Sequence, residues 1–306
     1  MARVAVLIAT YNGSRYLSSQ IDSILAQDVK DSDIFVSDDG SSDSTLSILG
    51  EYSERLIEPS LNVFAGPRKG FAWNFISLLS RAGDNYDFYA FSDQDDVWEC
   101  DKLSRAISAL GDLGEQIPAV YCARTRLVDE AENEIGFSPL FSIEPSFKNA
   151  LVQSIGGGNT MVMNRAARDL LVKVPSGLNI VSHDWLAYLL VTACGGRVIY
   201  DAYPCLRYRQ HGANLVGANN SFLNRLSRMR QLLAGRFKGW SDSNIEVLNY
   251  FKDEMTPLNR SVYDAFLQGR EGGVMKRLVA FKKSGVFRQS SLDNLGLWLA
   301  MLFKRI

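Results

Sequence analysis

Along the first 113 residues, apolar runs of strand length alternate with helix-patterned segments about every 30 residues, and no other feature constrains the fold as much. "RVAVLIA" at 3–9 is continuously apolar, as a strand buried on both faces must be. A polar turn follows, then a helical stripe of Leu17, Ile21, Ile24 and Leu25. "DIFVSDDGSSDS" repeats the unit with a helix near 43–51, and "NVFAG" with "FAWNFISLL" repeats it across 61–82. "YDFYAFSDQDDVW" leads into a helix carrying Leu103, Ile107, Leu110 and Leu113. Such alternation predicts an α/β fold with a mostly parallel sheet flanked by helices. A chain of 306 residues that is 46% hydrophobic can bury the core this requires.

From about 117 the pattern changes. "AVYCARTRLVD" and "NEIGF" read as a strand pair, "GGGNTMVMNRAA" as a glycine turn joined to a strand and helix, and "SHDWLAYLLVTACG" as a helix. "RVIYDAYPCLRYRQHG" supplies two more short strands. After about 215 only helical patterns remain, among them Phe222, Leu226, Met229 and Leu233, and later Val262 and Phe266. We therefore expect an α/β domain over 1–215 and a basic helical C-terminal region over 216–306.

Charge divides along similar lines. Residues 1–206 hold 16 Lys/Arg against 27 Asp/Glu, whereas residues 207–306 hold 17 against 7. Two readings are open: opposite surfaces dock on each other, or the basic segment faces a polyanion, either membrane phospholipid or a phosphorylated carrier. The terminal "LGLWLAMLFKRI" fits either a docked helix or an interfacial membrane helix. No run reaches the roughly 20 apolar residues of a membrane span, and the first apolar stretch is too short for a signal peptide. Cys100, Cys122, Cys194 and Cys205 form no C-x-x-C pair and read as reduced packing residues. The expected location is the cytoplasm, and no nucleic-acid partner is expected.

In parallel sheets ligands bind beyond the carboxyl ends of the strands. The most unusual polar stretches fall at three such ends: "TYNGS" at 10–14, "SDDGSSD" at 37–43 and "SDQDD" at 92–96. They should meet in one crevice. On an extended backbone Asp93 and Asp95 point the same way, a pair suited to Mg2+ or Mn2+; the alternative is a hydrated helix N-terminus capped by Ser92 or Asp93. A helix-loop-helix calcium loop is excluded, because Trp98 stands where it needs glycine. Asp38 or Asp39 can accept from a nucleobase with Tyr11 against its face, or Ser42 or Asp43 can simply cap a helix. Arg68 and Lys69 are either solvated or a counter-charge for diphosphate. Gly156, Gly157 and Gly158 give a flexible turn or a close approach to substrate. Ser182 can cap the helix that carries Asp184, and Asp184 is the candidate general base. His183 and His211 are structural, or His211 reaches the crevice to bind metal or diphosphate.

Taken together, "VLIATYNGSRYLSSQIDSIL", "VSDDGSSDST", "YAFSDQDDVWECDKL", "GGGNTMVMNR", "SHDW" and "YRQHGANLVG" resemble the family-2 glycosyltransferases of GT-A fold, and among them bacterial rhamnosyltransferase-like enzymes of O-antigen and surface polysaccharide synthesis. The resemblance spans about residues 3–217. It implies a GT-A, Rossmann-like sheet and a nucleotide-diphosphate sugar donor whose base is held by Tyr11 and Asp39, with Thr10 and Asp38 nearby. Arg68 would face the diphosphate. Asp93 and Asp95 match the D-x-D pair for Mn2+ or Mg2+, Asp95 being the direct ligand through the donor, and His211 and Arg209 fall where relatives contact metal or diphosphate. Asp184 matches the catalytic base, although many members have Glu-Asp where this chain has His183-Asp184. The absence of Q-x-x-R-W and of membrane spans implies addition of one sugar. L-rhamnose from dTDP-rhamnose is the expected donor, with a UDP-sugar as the alternative, and the acceptor is a glycan on polyprenyl diphosphate at the inner face of the cytoplasmic membrane. Two other classes remain, a sugar nucleotidyltransferase and a non-catalytic carbohydrate-binding module.

Overall fold

The computed structural model describes residues 2–212 and 236–306. Strands β1 (Val4–Thr10), β2 (Ser32–Asp38), β3 (Leu61–Ala65) and β4 (Phe88–Ser92) run parallel, joined by helices α1 (Leu17–Leu25), α2 (Thr45–Arg55) and α3 (Phe71–Arg81). Side chains alternate as the pleat demands. Ala5 and Leu7 of β1 face one core with Phe75, Leu79 and Phe91, while Val4, Val6 and Ile8 face the other with Ile21 and Leu103.

After β4 come β5 (Val97–Trp98), α4 (Lys102–Gly111), β6 (Ala119–Val128), β7 (Glu134–Phe137), α5 (Phe147–Ala150), β8 (Val162–Asn164), α6 (Arg165–Leu171), α7 (His183–Ala193) and β9 (Arg197–Arg209). Among the described residues the sheet order is β3-β2-β1-β4-β8-β6-β9-β5, with β7 paired to β6. β8 is antiparallel to β4 and β6, and β9 is parallel to β6. The sheet is thus mostly parallel and flanked by helices.

The last segment corrects one expectation: "RVIYDAYPCLRYRQHG" forms one 13-residue strand and not two short ones. Its register against β6 slips between Ala123↔Asp201 and Arg124↔Pro204, so that Ala202 and Tyr203 are extruded. Pro204, which has no N–H to donate, re-enters the register directly after the extrusion, and Asp201 accepts the Tyr203 N–H across it at 2.9 Å.

Helices α8 (Arg236–Tyr250), α9 (Pro257–Arg270), α10 (Val274–Ser284) and α11 (Ser291–Leu302) complete the described chain. Val262 and Phe266 are buried as their spacing predicts; Phe222, Leu226, Met229 and Leu233, and the expected boundary at 215/216, lie outside the described residues. Phe237, Leu248, Phe251, Phe266 and Phe281 join the same apolar core as Leu186 and Leu190 of α7. The Asn259 amide donates to the Thr192 carbonyl at 2.8 Å. The four cysteines are free, with Cys122 and Cys205 buried.

Asn164 ties three elements together. Its Nδ2 donates to the Ile117 carbonyl at 2.8 Å, and its Oδ1 accepts from Ala119 and, as the N-cap of α6, from Ala167, both at 3.0 Å. Replacing it strands two buried N–H donors. Asn164→Ala should therefore lower unfolding free energy by about 2 kcal/mol, measured as the urea midpoint, whereas an unchanged midpoint would contradict this bridging role.

Candidate active site

Register brings the polar stretches to one edge of the sheet. Thr10 lies opposite Asp38, Asp38 opposite Ala65, and Ile8 opposite Ser92, so the loops after β1, β2, β3 and β4 leave side by side. Hydrogen bonds then knit them. The buried Asp38 carboxylate accepts from Thr10 Oγ1 at 2.9 Å, from the backbone N–H of Gly40 and Ser41 at 3.1 and 2.8 Å, and from Ser41 Oγ at 2.5 Å. Those four bonds occupy it as the brace of the 38–41 turn. Asp39 is less committed: one oxygen accepts the Arg68 N–H at 2.5 Å. Arg68 has a φ of +56° and lays its guanidinium against Gly40, where an added Cβ would meet Nε at 3.2 Å.

Tyr11 is 60% exposed, an unusual position for a ring beyond a buried strand. Its backbone is clamped by the Gln94 amide, which accepts the Tyr11 N–H at 2.9 Å and donates to the Tyr11 carbonyl at 3.1 Å. A Cβ at Gly13 would come within 2.2 Å of Gln94 Oε1, so glycine is what lets the first and fourth loops touch. Asp43 accepts from Thr45 and Ser14; desolvation works to raise its pKa, but these bonds hold it at about 2.

The chain bends at Gln94 and Asp95 where an extended strand was expected. The bend gathers three carboxylates: Asp93, Asp95 and Asp96 present oxygens all within 4.8 Å of one another. No helix begins there for Ser92 or Asp93 to cap, since β5 follows. Asp96 is fully buried, with one oxygen accepting from Asn159 Nδ2 at 2.5 Å and the other from the Arg209 N–H at 3.3 Å. Asp95 Oδ2 lies 2.9 Å from His211 Nε2. Beneath them Lys102 is completely buried, donating from Nζ to the Asn159 carbonyl at 2.9 Å and sitting 3.2 Å above the Trp98 ring centroid.

Electrostatics register the crowding. Desolvation first, then the charges of Asp95 and Asp184, push Asp93 up to about 7, while Lys102 pulls the other way. Asp96 is raised well above the carboxylate range by burial and then by Asp95 and Asp93. Burial brings Lys102 down to about 7. Like-charged carboxylates this close are unfavourable until a cation joins them, and two open carboxylates beside an imidazole suit Mn2+ or Mg2+. Asp93, Asp95 and Asp96 lie close enough together to share such an ion, and His211 adjoins them through Asp95, while Asp96 already accepts from Asn159 and Arg209.

Asp184 stands in the first turn of α7, with Oδ1 accepting the Trp185 N–H at 2.7 Å; Ser182, the expected cap, makes no capping bond through its side chain. Its charge adds to the forces that raise Asp93. His183 turns the other way. Its ring stacks on Phe75 with centroids 3.9 Å apart, burial brings its pKa down to about 4, and a Cβ at Gly158 would lie 2.0 Å from Nε2. Likewise a Cβ at Gly156 would strike Cys122 at 2.8 Å. These glycines thus accommodate protein neighbours. Gln94, Asp96, Lys102 and Asn159 were given no role from sequence, although Gln94 and Asp96 stand inside the quoted "SDQDD" and Asn159 directly follows the three glycines.

Comparison with known proteins bears on the family and the fold. The profile of "Glycosyl transferase family 2" matches residues 5–171. The dTDP-rhamnosyl transferase RfbG of Shigella flexneri is 33% identical over 239 residues, covering 72% of this chain and 78% of that protein. The UDP-Glc:alpha-D-GlcNAc-diphosphoundecaprenol beta-1,3-glucosyltransferase WfgD of Escherichia coli is 34% identical over 107 residues, covering 35% of this chain and 40% of its own. Among solved structures, S. aureus TarS 1-349 in complex with UDP-GlcNAc aligns over 92% of this chain and 89% of that one, with a TM-score of 0.55 at 15% identity. The mannosyltransferase PcManGT from Pyrobaculum calidifontis, in complex with GDP-Man and Mn2+, aligns over 99% of this chain and 86% of its own, with a TM-score of 0.52 at 16% identity. At such identities the structural likeness speaks for the fold alone.

The raised pKa of Asp93 carries a signed prediction. A carboxyl that titrates near 3.8 when unfolded and about 7 when folded makes the folded state take up the extra proton, so its contribution to stability falls as pH rises between those values. In metal-free protein the melting temperature of Asp93→Asn, relative to wild type, should climb from about pH 4.5 to 7. A gap that is constant with pH would contradict the crowding inferred here.

Proposed function

The chain belongs to glycosyl transferase family 2, and from that premise we propose that it moves a single sugar, L-rhamnose from dTDP-rhamnose, onto a lipid-linked oligosaccharide during O-antigen or capsule synthesis. The donor assignment is supported by the likeness to RfbG, which extends over most of both chains. The likeness to WfgD, a glucosyltransferase from UDP-Glc to alpha-D-GlcNAc-diphosphoundecaprenol, supports a diphosphate-linked polyprenyl acceptor and equally keeps a UDP-sugar donor as the second reading. Residues 1–215 form the catalytic unit in this reading, and 216–306 the basic region that contacts membrane or partner at the cytoplasmic face. No helix among the described residues is long and apolar enough to cross a membrane.

The chemistry rests on one observation: the carboxylates of Asp93, Asp95 and Asp96 gather within 4.8 Å of one another at the edge where Tyr11 and Asp39 also emerge. Tyr11 offers an exposed face for a base to stack on, and the uncommitted oxygen of Asp39 accepts from the base N–H. Thr10 and Asp38 hold the turn that carries Asp39, and Arg68 offers its guanidinium to the diphosphate. Asp93, Asp95 and His211 would hold Mn2+ or Mg2+, whose charge at the donor diphosphate favours departure of the nucleotide. Asp184 accepts the proton of the acceptor hydroxyl as that oxygen attacks the anomeric carbon from the face opposite the leaving group, which inverts the centre. Asp96, Asn159 and Lys102 keep the acidic bend in shape and touch no substrate.

Asp184→Asn keeps the size of the side chain and removes its basicity. Turnover of the donor with acceptor should fall about 100- to 10,000-fold, while nucleoside diphosphate affinity, read by thermal shift with Mn2+, stays within about twofold. Near-normal turnover would remove Asp184 from the base role.

A further inference from the structure

Helix α11 has two apolar faces. The inner one, Leu297, Ala300 and Met301, is buried in the core, with Trp298 packed against Phe281 of α10 at a centroid distance of 4.9 Å. The outer one is a ridge of Leu292, Leu295, Leu299 and Phe303, spaced three or four residues apart and therefore on one side of the helix. Leu295 is 58% exposed and Phe303 66%. A helix on a water-facing surface carries polar residues on its outer side, and one that is apolar all round is covered by something.

The neighbouring helix carries exposed apolar side chains of its own. Arg277 of α10 donates to the Met301 carbonyl at 2.9 Å and locks the two helices together, while Met275, at 73% exposure, and Val279 point away from the core. Lys276, Lys282 and Lys283 of α10 and Lys304 and Arg305 just beyond α11 are exposed and form no ion pair among the described residues. Residues 271–306 hold 7 Lys/Arg against 2 Asp/Glu, so the patch is both greasy and positive. By contrast, the charges of α8 and α9 are largely paired: Arg270 with Asp242, Arg260 with Asp253, Lys252 with Asp264. Most of the basic charge near the terminus thus forms no ion pair among the described residues.

We propose that the outer face of α10 and α11 is a membrane-docking surface that inserts Leu295, Leu299, Phe303, Met275 and Val279 at the headgroup boundary of an anionic bilayer while the surrounding lysines engage lipid phosphates. The combination of an exposed apolar ridge with unpaired cations selects lipid: a second copy of this chain would bring the same positive patch against itself. This deepens the functional reading above by giving the membrane contact a place, and it rests on that reading only for its purpose, not for its evidence. The apolar side chains fix depth, and the cations select anionic lipid.

Flotation with vesicles of phosphatidylglycerol and phosphatidylethanolamine, against vesicles of phosphatidylcholine alone, tests it on the full chain. At about 0.1 M salt the wild type should float with the anionic vesicles, and binding should fall about tenfold or more on phosphatidylcholine. Leu295→Glu/Leu299→Glu, whose side chains already face outward, should keep the wild-type melting temperature and lose binding by a similar factor, and Lys282→Glu/Lys283→Glu should weaken it at low salt. Binding that survives both double variants would overturn the proposal. So would failure of the wild type to float combined with a dimer, seen by sedimentation, that Leu295→Glu/Leu299→Glu dissociates. Nucleotide binding with Mn2+ is measured in parallel: its loss in the wild type would count against the transferase reading, and intact binding in the surface variants would keep the two conclusions separate.

Discussion

Three carboxylates held within 4.8 Å of one another are the constraint around which the rest of this structure is arranged. Such a cluster at the end of a buried strand repels itself, and the chain offsets the repulsion from several directions. Lys102 lies underneath with no exposure to solvent, Asn159 and the Arg209 N–H occupy Asp96, and His211 faces Asp95. Only part of the charge is met this way, because Asp93 is still driven up to about 7. The remainder is charge that a divalent ion would neutralise.

The parts that compensate come from distant stretches of chain, and strand register is what unites them. β1, β2 and β3 end level with one another, and β4 ends beside them, so that Gln94 can hold the Tyr11 backbone and Asp38 can hold Thr10. On the other side β9 delivers Arg209 and His211 to the acidic bend after a register slip that extrudes Ala202 and Tyr203. Asn159 links the glycine turn to both Asp96 and Lys102. A site built from so many segments holds its geometry through the sheet and not through any single loop.

Much of this was legible in the sequence because it follows from periodicity. The four β-α units, the strand-end location of the polar stretches and the burial of Val262 and Phe266 all come from apolar spacing, which local chain geometry enforces. What depends on long-range contact was not legible. A strand pattern put Asp93 and Asp95 on one side and gave Asp96 no role, but the bend brings all three together. The glycines at 156 and 158 looked like a flexible or substrate-facing turn and instead make room for Cys122 and His183. A two-strand reading of 197–209 missed that a paired strand can extrude two residues and continue. The terminal apolar helix allowed both a docked and an interfacial reading; the fold gives it a buried face and an uncovered one.

The central claim is that this acidic bend and the exposed Tyr11 serve one bound nucleotide. The most direct measurement is a crystal structure grown with Mn2+ and dTDP, with anomalous diffraction collected at the manganese edge. The account predicts an anomalous peak coordinated by Asp95, with the base stacked on Tyr11 and the diphosphate reaching from Asp39 toward the ion. A peak remote from Asp93 and Asp95, or a nucleotide that leaves Tyr11 and Asp39 uncontacted, would contradict it.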